Sequence, residues 1–278
     1  MMPRLRFASL FKHGVLLCAT LIILAPILFT FLTSLKLRRD IISGAWQFEP
    51  TLRNYERLFI GSRGVFDQLL INSLVAGVVS TLIVVAVGCL AAYSLSRFHW
   101  PKVWSALVLA WLLFVYMLPP ITFVGPFYLM ARNLGMYDSP YTLALAHMVL
   151  TLPLSVWLLQ SFLSEIPREL EEAAAIDGSG PASTLWRIVL PIARPGIFAT
   201  AILAFIFSWK DFLFALVLTS TPAGNTIPVG IAGFVQEYDL RFGEMSAATI
   251  IATIPAVILV IFAQRHIIKG MTMGALKG

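Results

Sequence analysis

The sequence predicts an all-α, polytopic membrane protein with six transmembrane helices and a polar helical insert between spans four and five. Three observations predict it. Hydrophobic residues make up 59% of the 278 positions and charged residues only 12%, whereas a soluble domain carries about 25% charged. Six apolar runs, 14–35, 70–93, 104–130, 139–162, 197–219 and 245–266, reach the roughly 20 residues a span needs. One polar stretch, "RELEEAAAIDGSGPASTLWRIVLP" at 168–191, breaks the pattern and, with Glu165, holds five of the fourteen acidic residues.

The elements follow in order. The basic start "MMPRLRFASLFKHG" precedes a 22-residue run, longer than a signal-peptide core and followed by no A-x-A-like site, so it predicts a retained first span. The second span opens with Asn72 and Ser73, an interfacial cap by residue type. The third is interrupted by "MLPPITFVGPF" at 117–127. Pro119, Pro120 and Pro126 each remove a backbone donor, so the helix must bend or break there. Such a break survives only where protein or water satisfies the freed carbonyls. It is either a kink near the membrane surface or a span end lining a pathway. Pro153 and Pro255 predict kinks in the fourth and sixth spans. His147 has no second histidine or carboxylate at ligand spacing and reads as a hydrogen-bonded core residue. The fifth span holds Lys210 and Asp211, each costing roughly 2.5–3.5 kcal/mol at a helix centre. Neighbours on a helix point about 100° apart, so each should find its own partner or face water.

In the insert, Pro167 suits a first helical turn and "RELEEAAAI" is made of strong helix formers. Its acids crowd the N-terminal turns, where the macrodipole favours them. Gly178 stands where a helix end wants a left-handed residue. "PASTLWRIVL" restarts as a second short helix at Pro181, and Pro191 and Pro195 end it before the fifth span. A helix lying on headgroups is usually basic on its polar face. This one is acidic, which points to a protein partner.

Lys and Arg set orientation. With the N-terminus inside, eleven lie in inside segments and eight outside, six of those eight in the loop 36–69. Lys36, Arg38 and Arg39 directly after the first span argue the other way, but every later loop agrees with both termini inside.

Other classes are disfavoured. No basic stripe with interleaved aromatics suggests nucleic acid. Cys18 and Cys89 lie in apolar runs and read as packing, and no C-x-x-C or His/Cys cluster suggests a metal site. None of the six lysines is followed by Ser or Thr, so the chain builds no P-loop. No nucleophile–base constellation suggests an enzyme. A stand-alone secondary transporter or channel, the alternative reading, would need inverted repeats and midplane ion sites, and the sequence displays neither.

Glu172-Ala173-Ala174, three residues, Gly178, nine residues, Ile188, one residue, Leu190-Pro191 resembles the EAA signature of ABC-importer permease subunits at every position. The resemblance implies that the insert, 163–196, is a cytoplasmic coupling helix docking on a separate ATPase dimer. Glu172 would pair with a basic group there, Ala173 and Ala174 would allow close approach, Gly178 the turn, and Ile188–Pro191 would fix the insert to the membrane domain. "EPTLRNYERLF" at 49–59, "FSWKDFLFAL" at 207–216 and the ending "GMTMGALKG" at 270–278 resemble maltose-type carbohydrate permeases of the binding-protein-dependent type I class. The implied division is a cytoplasmic N-terminus 1–13, first span 14–35, periplasmic or extracellular loop 36–69, core type I domain 70–266 and cytoplasmic tail 267–278. In that family the tail, here with Lys277 and Gly278, reaches the ATPase. Lys277 and Lys269 are by themselves ordinary basic anchors. Lys210 stands where the family usually has Asn, a departure that suggests an anionic sugar. Asn72, Trp209, Lys210, Asp211 and Phe212 are the candidate substrate path. Trp209 and Phe212 either stack on sugar faces or fill against lipid. The implied partners are the ATPase dimer, a second, non-identical permease, an extracytoplasmic solute-binding protein and membrane lipid. The resemblance implies no catalytic residue and no cofactor on this chain, ATP and Mg belonging to the ATPase, and a place in the bacterial inner membrane.

Overall fold

The computed structural model describes the backbone of residues 3–60, 65–236 and 239–275, and side chains over 12–60, 65–235 and 241–262. The candidate ATPase contacts Lys277 and Gly278 lie outside the described residues. Four helices are long and apolar enough to cross a membrane singly: α1 (Pro3–Ser34), α4 (Phe66–Arg97), α7 (Pro140–Ser164) and α14 (Phe242–Ala275). Counting each of two bent pairs as one span brings the number among the described residues to as many as six. The third span is α5 (Lys102–Met117) and α6 (Ile121–Asn133), which meet at 93°. Pro119 and Pro120 fall between them, as the missing donors require. Helices α7 and α14 run on through Pro153 and Pro255. Away from helices, the described residues hold one short antiparallel pair, β1 (Val235–Gln236) with β2 (Asp239–Leu240).

The fifth span departs from expectation. It is not one helix over 197–219. Helix α11 (Arg194–Trp209) stops, and α12 (Leu213–Leu218) begins after three residues. Lys210 and Asp211 therefore do not sit on adjacent positions of a continuous helix; they occupy the break.

The chain forms two compact units, residues 1–66 with 231–254, and 67–230 with 255–278. In the first, the quoted stretch 49–59 acts as a staple. Asn54, on α3 (Arg53–Ile60), is buried and donates through Nδ2 to the carbonyls of Ser34 at 2.8 Å and Lys36 at 2.9 Å. Tyr55 Oη meets Ser34 Oγ at 2.8 Å. The Asn54 bond to Ser34 satisfies a carbonyl that the end of α1 leaves without a helical partner. The awkward cations after the first span are engaged locally. Lys36 Nζ donates to the Ala45 carbonyl at 2.7 Å and lies 4.8 Å from the Phe48 ring centroid, a cation–π arrangement. Arg39, at the start of the short α2 (Arg38–Ile42), pairs with Asp40 at 3.4 Å. Glu244 receives both Arg57 at 3.6 Å and Arg241 at 3.4 Å.

In the second unit α7 is covered over most of its surface: Leu143, Ala144, Val156, Leu159 and Leu163 are almost completely buried, while Tyr141, Leu145 and Trp157 stay exposed. A helix apolar all round is expected to be covered by protein or lipid, and here protein covers the larger part of it. One cluster joins Ala76, Val124, Leu143, Leu150, Phe214 and Leu218 from α4, α6, α7 and α12. A second joins Cys89, Tyr93, Leu159, Leu163, Leu185 and Val189, and so ties the insert to α4 and α7. Asp138, in the turn between α6 and α7, adopts φ 63° and receives the Ser220 amide at 2.8 Å, the Thr221 amide at 3.1 Å and the Thr221 hydroxyl. Burial alone would raise its pKa, but these donations outweigh it and hold the carboxyl below the usual range.

Candidate functional site: the insert and the broken fifth span

Helix α8 (Glu169–Ile176) opens two residues after Pro167, which precedes the helix instead of lying in its first turn. Glu169, Glu171 and Glu172 fill the first turn, where the unsatisfied amides favour negative charge. The two adjacent glutamates point apart. Glu171 turns inward: its Oε1 lies 2.6 Å from Arg97 Nε, and its Oε2 accepts from Tyr93 Oη at 3.1 Å. Glu172 faces out and is exposed. Ala173 is exposed too, but Ala174 is only 6% exposed. The small side chain of Ala174 therefore permits close approach within its own chain, not to an outside surface; the helical period carries it to the inner face. Gly178 has φ 81°. Its amide donates to the Ala175 carbonyl at 3.0 Å and that of Ser179 to the Ala174 carbonyl at 2.9 Å, the paired bonds of a Schellman turn.

Helix α9 (Pro181–Thr184) then starts with Pro181 in its first turn, passes into a π-turn over Leu185–Val189 and ends as α10 (Leu190–Ile192). The chain bends by 78° into α11. Pro191 and Pro195 sit in the first turns that follow, and a Cβ at Gly196 would collide with the Phe162 ring of α7. Ile188, Leu190 and Pro191 are half-buried; the anchors proper are Leu185 and Val189, four residues apart and buried. Their spacing in the sequence was a readable signal. The insert leaves Ile176 87% and Trp186 69% exposed, large apolar groups of the kind that mark a contact surface.

At the break in the fifth span, Asp211 Oδ2 accepts the amides of Phe214 at 3.1 Å and Ala215 at 3.2 Å. It thereby caps α12, supplying the acceptor that its first turn lacks. The same oxygen lies 3.1 Å from His147 Nε2, and His147 Nδ1 meets Ser208 Oγ at 2.6 Å. His147 is a buried, hydrogen-bonded core residue, and its carboxylate partner comes from another span. Serine, histidine and aspartate thus stand in line, a constellation that linear spacing concealed. Ser208 and His147 are buried, and the aspartate is committed to the cap, so the arrangement reads as a helix-to-helix tie.

The other path candidates separate. Trp209 is buried and its ring stacks on Phe205 at 5.6 Å. Asn72 is buried and donates to the carbonyls of Pro222 and Asn225, both at 2.9 Å, while Ser73 Oγ accepts the Ile227 amide at the start of α13 (Ile227–Ala232). Both therefore hold structure within this chain. Lys210 and Phe212 are exposed. Lys210 lies 5.9 Å from the Phe207 ring and lines a cleft of about 170 Å³ with Tyr116, Thr151, Ser155, Leu203 and Phe207. Among the described residues, no group of three His, Cys, Asp or Glu gathers as a metal site.

Residues 84–273 match a family described as binding-protein-dependent transport system inner membrane component. The chain is similar to the trehalose transport system permease protein SugB of Mycobacterium tuberculosis, 37% identical over 258 residues that span 92% of this chain and 93% of that one. It is similar to the trehalose/maltose transport system permease protein MalG of Thermococcus litoralis, 37% identical over 233 residues, 84% and 83% of the two chains. In fold it resembles a chain from the crystal structure of a bacterial ABC transporter involved in the import of the acidic polysaccharide alginate. There the TM-score is 0.75 at 22% identity, covering 95% of this chain and 98% of the other.

Proposed function

The chain belongs to the family of binding-protein-dependent transport system inner membrane components, and from that premise we propose that it is the sugar-translocating permease subunit of an ABC importer. The observation that carries this reading is the insert, an acid-capped helix and turn tied by Leu185, Val189 and Glu171 while Glu172, Ile176 and Trp186 face out. Permeases related by sequence are named for trehalose and maltose, which supports a sugar as cargo. A solute-binding protein delivers it from outside. A second, non-identical permease completes the path, and lipid surrounds both. The energy comes from ATP and Mg on a separate ATPase dimer, reached by the insert and by the tail with Lys277 and Gly278. Both termini lie in the cytoplasm. ATP binding moves the insert, and the spans follow. Such coupling requires different contacts for the insert in the two states. Lys210 and Phe212 face the path, and the exposed cation favours an anionic sugar.

The test is co-purification with a candidate ATPase subunit. Glu172→Ala removes the outward carboxylate, and Gly178→Asp puts a side chain on a φ of 81°. Each variant is expected to insert in the membrane and to lose ATPase binding by about tenfold or more, a change of about 1.4 kcal/mol or greater. Unchanged binding in both would overturn the docking role and favour a transporter that works without ATP.

A further inference from the structure

We infer that Arg97 and Glu171 are positioning residues that pass the movement of the insert to the spans. The inference rests on the proposed docking of the insert. Arg97 is the last residue of α4, yet its side chain is only 8% exposed. One guanidinium holds three elements together. Its Nε meets Glu171 of α8 at 2.6 Å, and its Nη2 donates to the carbonyls of Leu163 at 3.0 Å and Ile166 at 2.9 Å. Leu163 lies in the last turn of α7 and Ile166 in the link that follows it. Arginine suits this role because its planar fork aims several donors at once.

Glu171 is held twice from the same helix. Tyr93 and Arg97 lie four residues apart on α4, on one face, and each takes one carboxylate oxygen. Only residues 165–168 separate α7 from α8, and within that link Arg168 donates to the Ser96 carbonyl at 2.9 Å. Helix α8 therefore cannot turn on its link without breaking bonds to α4. Glu172 follows Glu171 directly and points about 100° away. A force on the outward glutamate is received one residue from the clamp.

Stability alone does not account for the pair. A buried ion pair is often no more stabilising than apolar side chains of the same volume, and apolar side chains already surround this one. What a three-way ionic contact adds is a fixed geometry between α4, α7 and α8.

The test uses the complete transporter, with a hydrolysis-deficient ATPase, in proteoliposomes. Phe212→Cys in a Cys18→Ser background gives a thiol at the break of the fifth span; Cys89 is buried. The rate of its modification by a maleimide is read with and without ATP. In the wild-type background ATP is expected to change that rate by about tenfold, within the usual range of coupling between sites. In Arg97→Ala and Glu171→Gln the ATPase still co-purifies, but the ATP-driven change disappears. Exchange of the two charges, Arg97→Glu with Glu171→Arg, restores most of it. A full ATP response in Arg97→Ala overturns the inference. So does loss of ATPase binding in both single variants, which makes the pair merely structural. No ATP response in the parent protein overturns the proposed function instead.

Discussion

The chain stops a helix in two places by opposite means. After α8, outside the spans, Gly178 turns the backbone with two main-chain bonds, and nothing lies within 4 Å of where a Cβ would stand. Outside the bilayer, water is available to the groups that remain. After α11, inside the fifth span, the restart needs a carboxylate. Asp211 accepts two amides and lies 3.1 Å from His147, itself held by Ser208. The difference follows from the solvent. Where water is absent each free backbone group must be satisfied by protein, and an acid that does so must have its own charge met. One helix end needs a flexible residue. The other needs a network spanning two helices.

That comparison orders three substitutions. Asp211→Ala strikes the network and should have the largest effect. It leaves the amides of Phe214 and Ala215 without their acceptor, and each buried donor left unsatisfied costs about 1–3 kcal/mol. A large fall in melting temperature in detergent is expected, smaller in Asp211→Asn. Gly178→Ala comes next. The space is open, so the cost is the left-handed backbone alone, about 1–2 kcal/mol. It should show as faster amide exchange in α8 with little change in global melting. If Gly178→Ala proved more damaging than Asp211→Ala, the contrast between the two ends would be wrong. Lys210→Asn is the smallest for stability, within about 0.5 kcal/mol as for other exposed sites. Its effect belongs to selectivity: competition uptake assays should show preference moving from anionic toward neutral sugars.

Much of this was legible from residue order. Glycine and proline mark turns by their own backbone limits, so Gly178, Pro181 and the Pro119–Pro120 break could be read directly. The six spans follow from apolar length. The broken fifth span could not be read, because its cause is a contact across 64 positions, between His147 and Asp211. Lacking that partner, Asp211 looks like a charge within a continuous helix. The Arg97–Glu171 clamp was hidden for the same reason: Glu171 and Glu172 are chemically identical in the sequence, and only the helix phase assigns one inward and one outward. Among the path candidates, Trp209 and Asn72 carry residue types that suit sugar binding, but burial decides their use, and burial is tertiary.

The right-angled third span has a consequence for bilayer thickness. When α5 stands along the bilayer normal, α6 runs across it at 93° and adds little depth. The crossing there falls to the 16 residues of α5, which at a rise of about 1.5 Å each reach about 24 Å. A typical hydrocarbon core is about 30 Å thick. Lipid beside α5 must therefore thin, or polar groups must be drawn inward, at a modest cost for each ångström of mismatch. The proline pair that bends the chain thus makes the depth of this span depend on the tilt of α5, and ties that tilt to the acyl-chain length of its membrane.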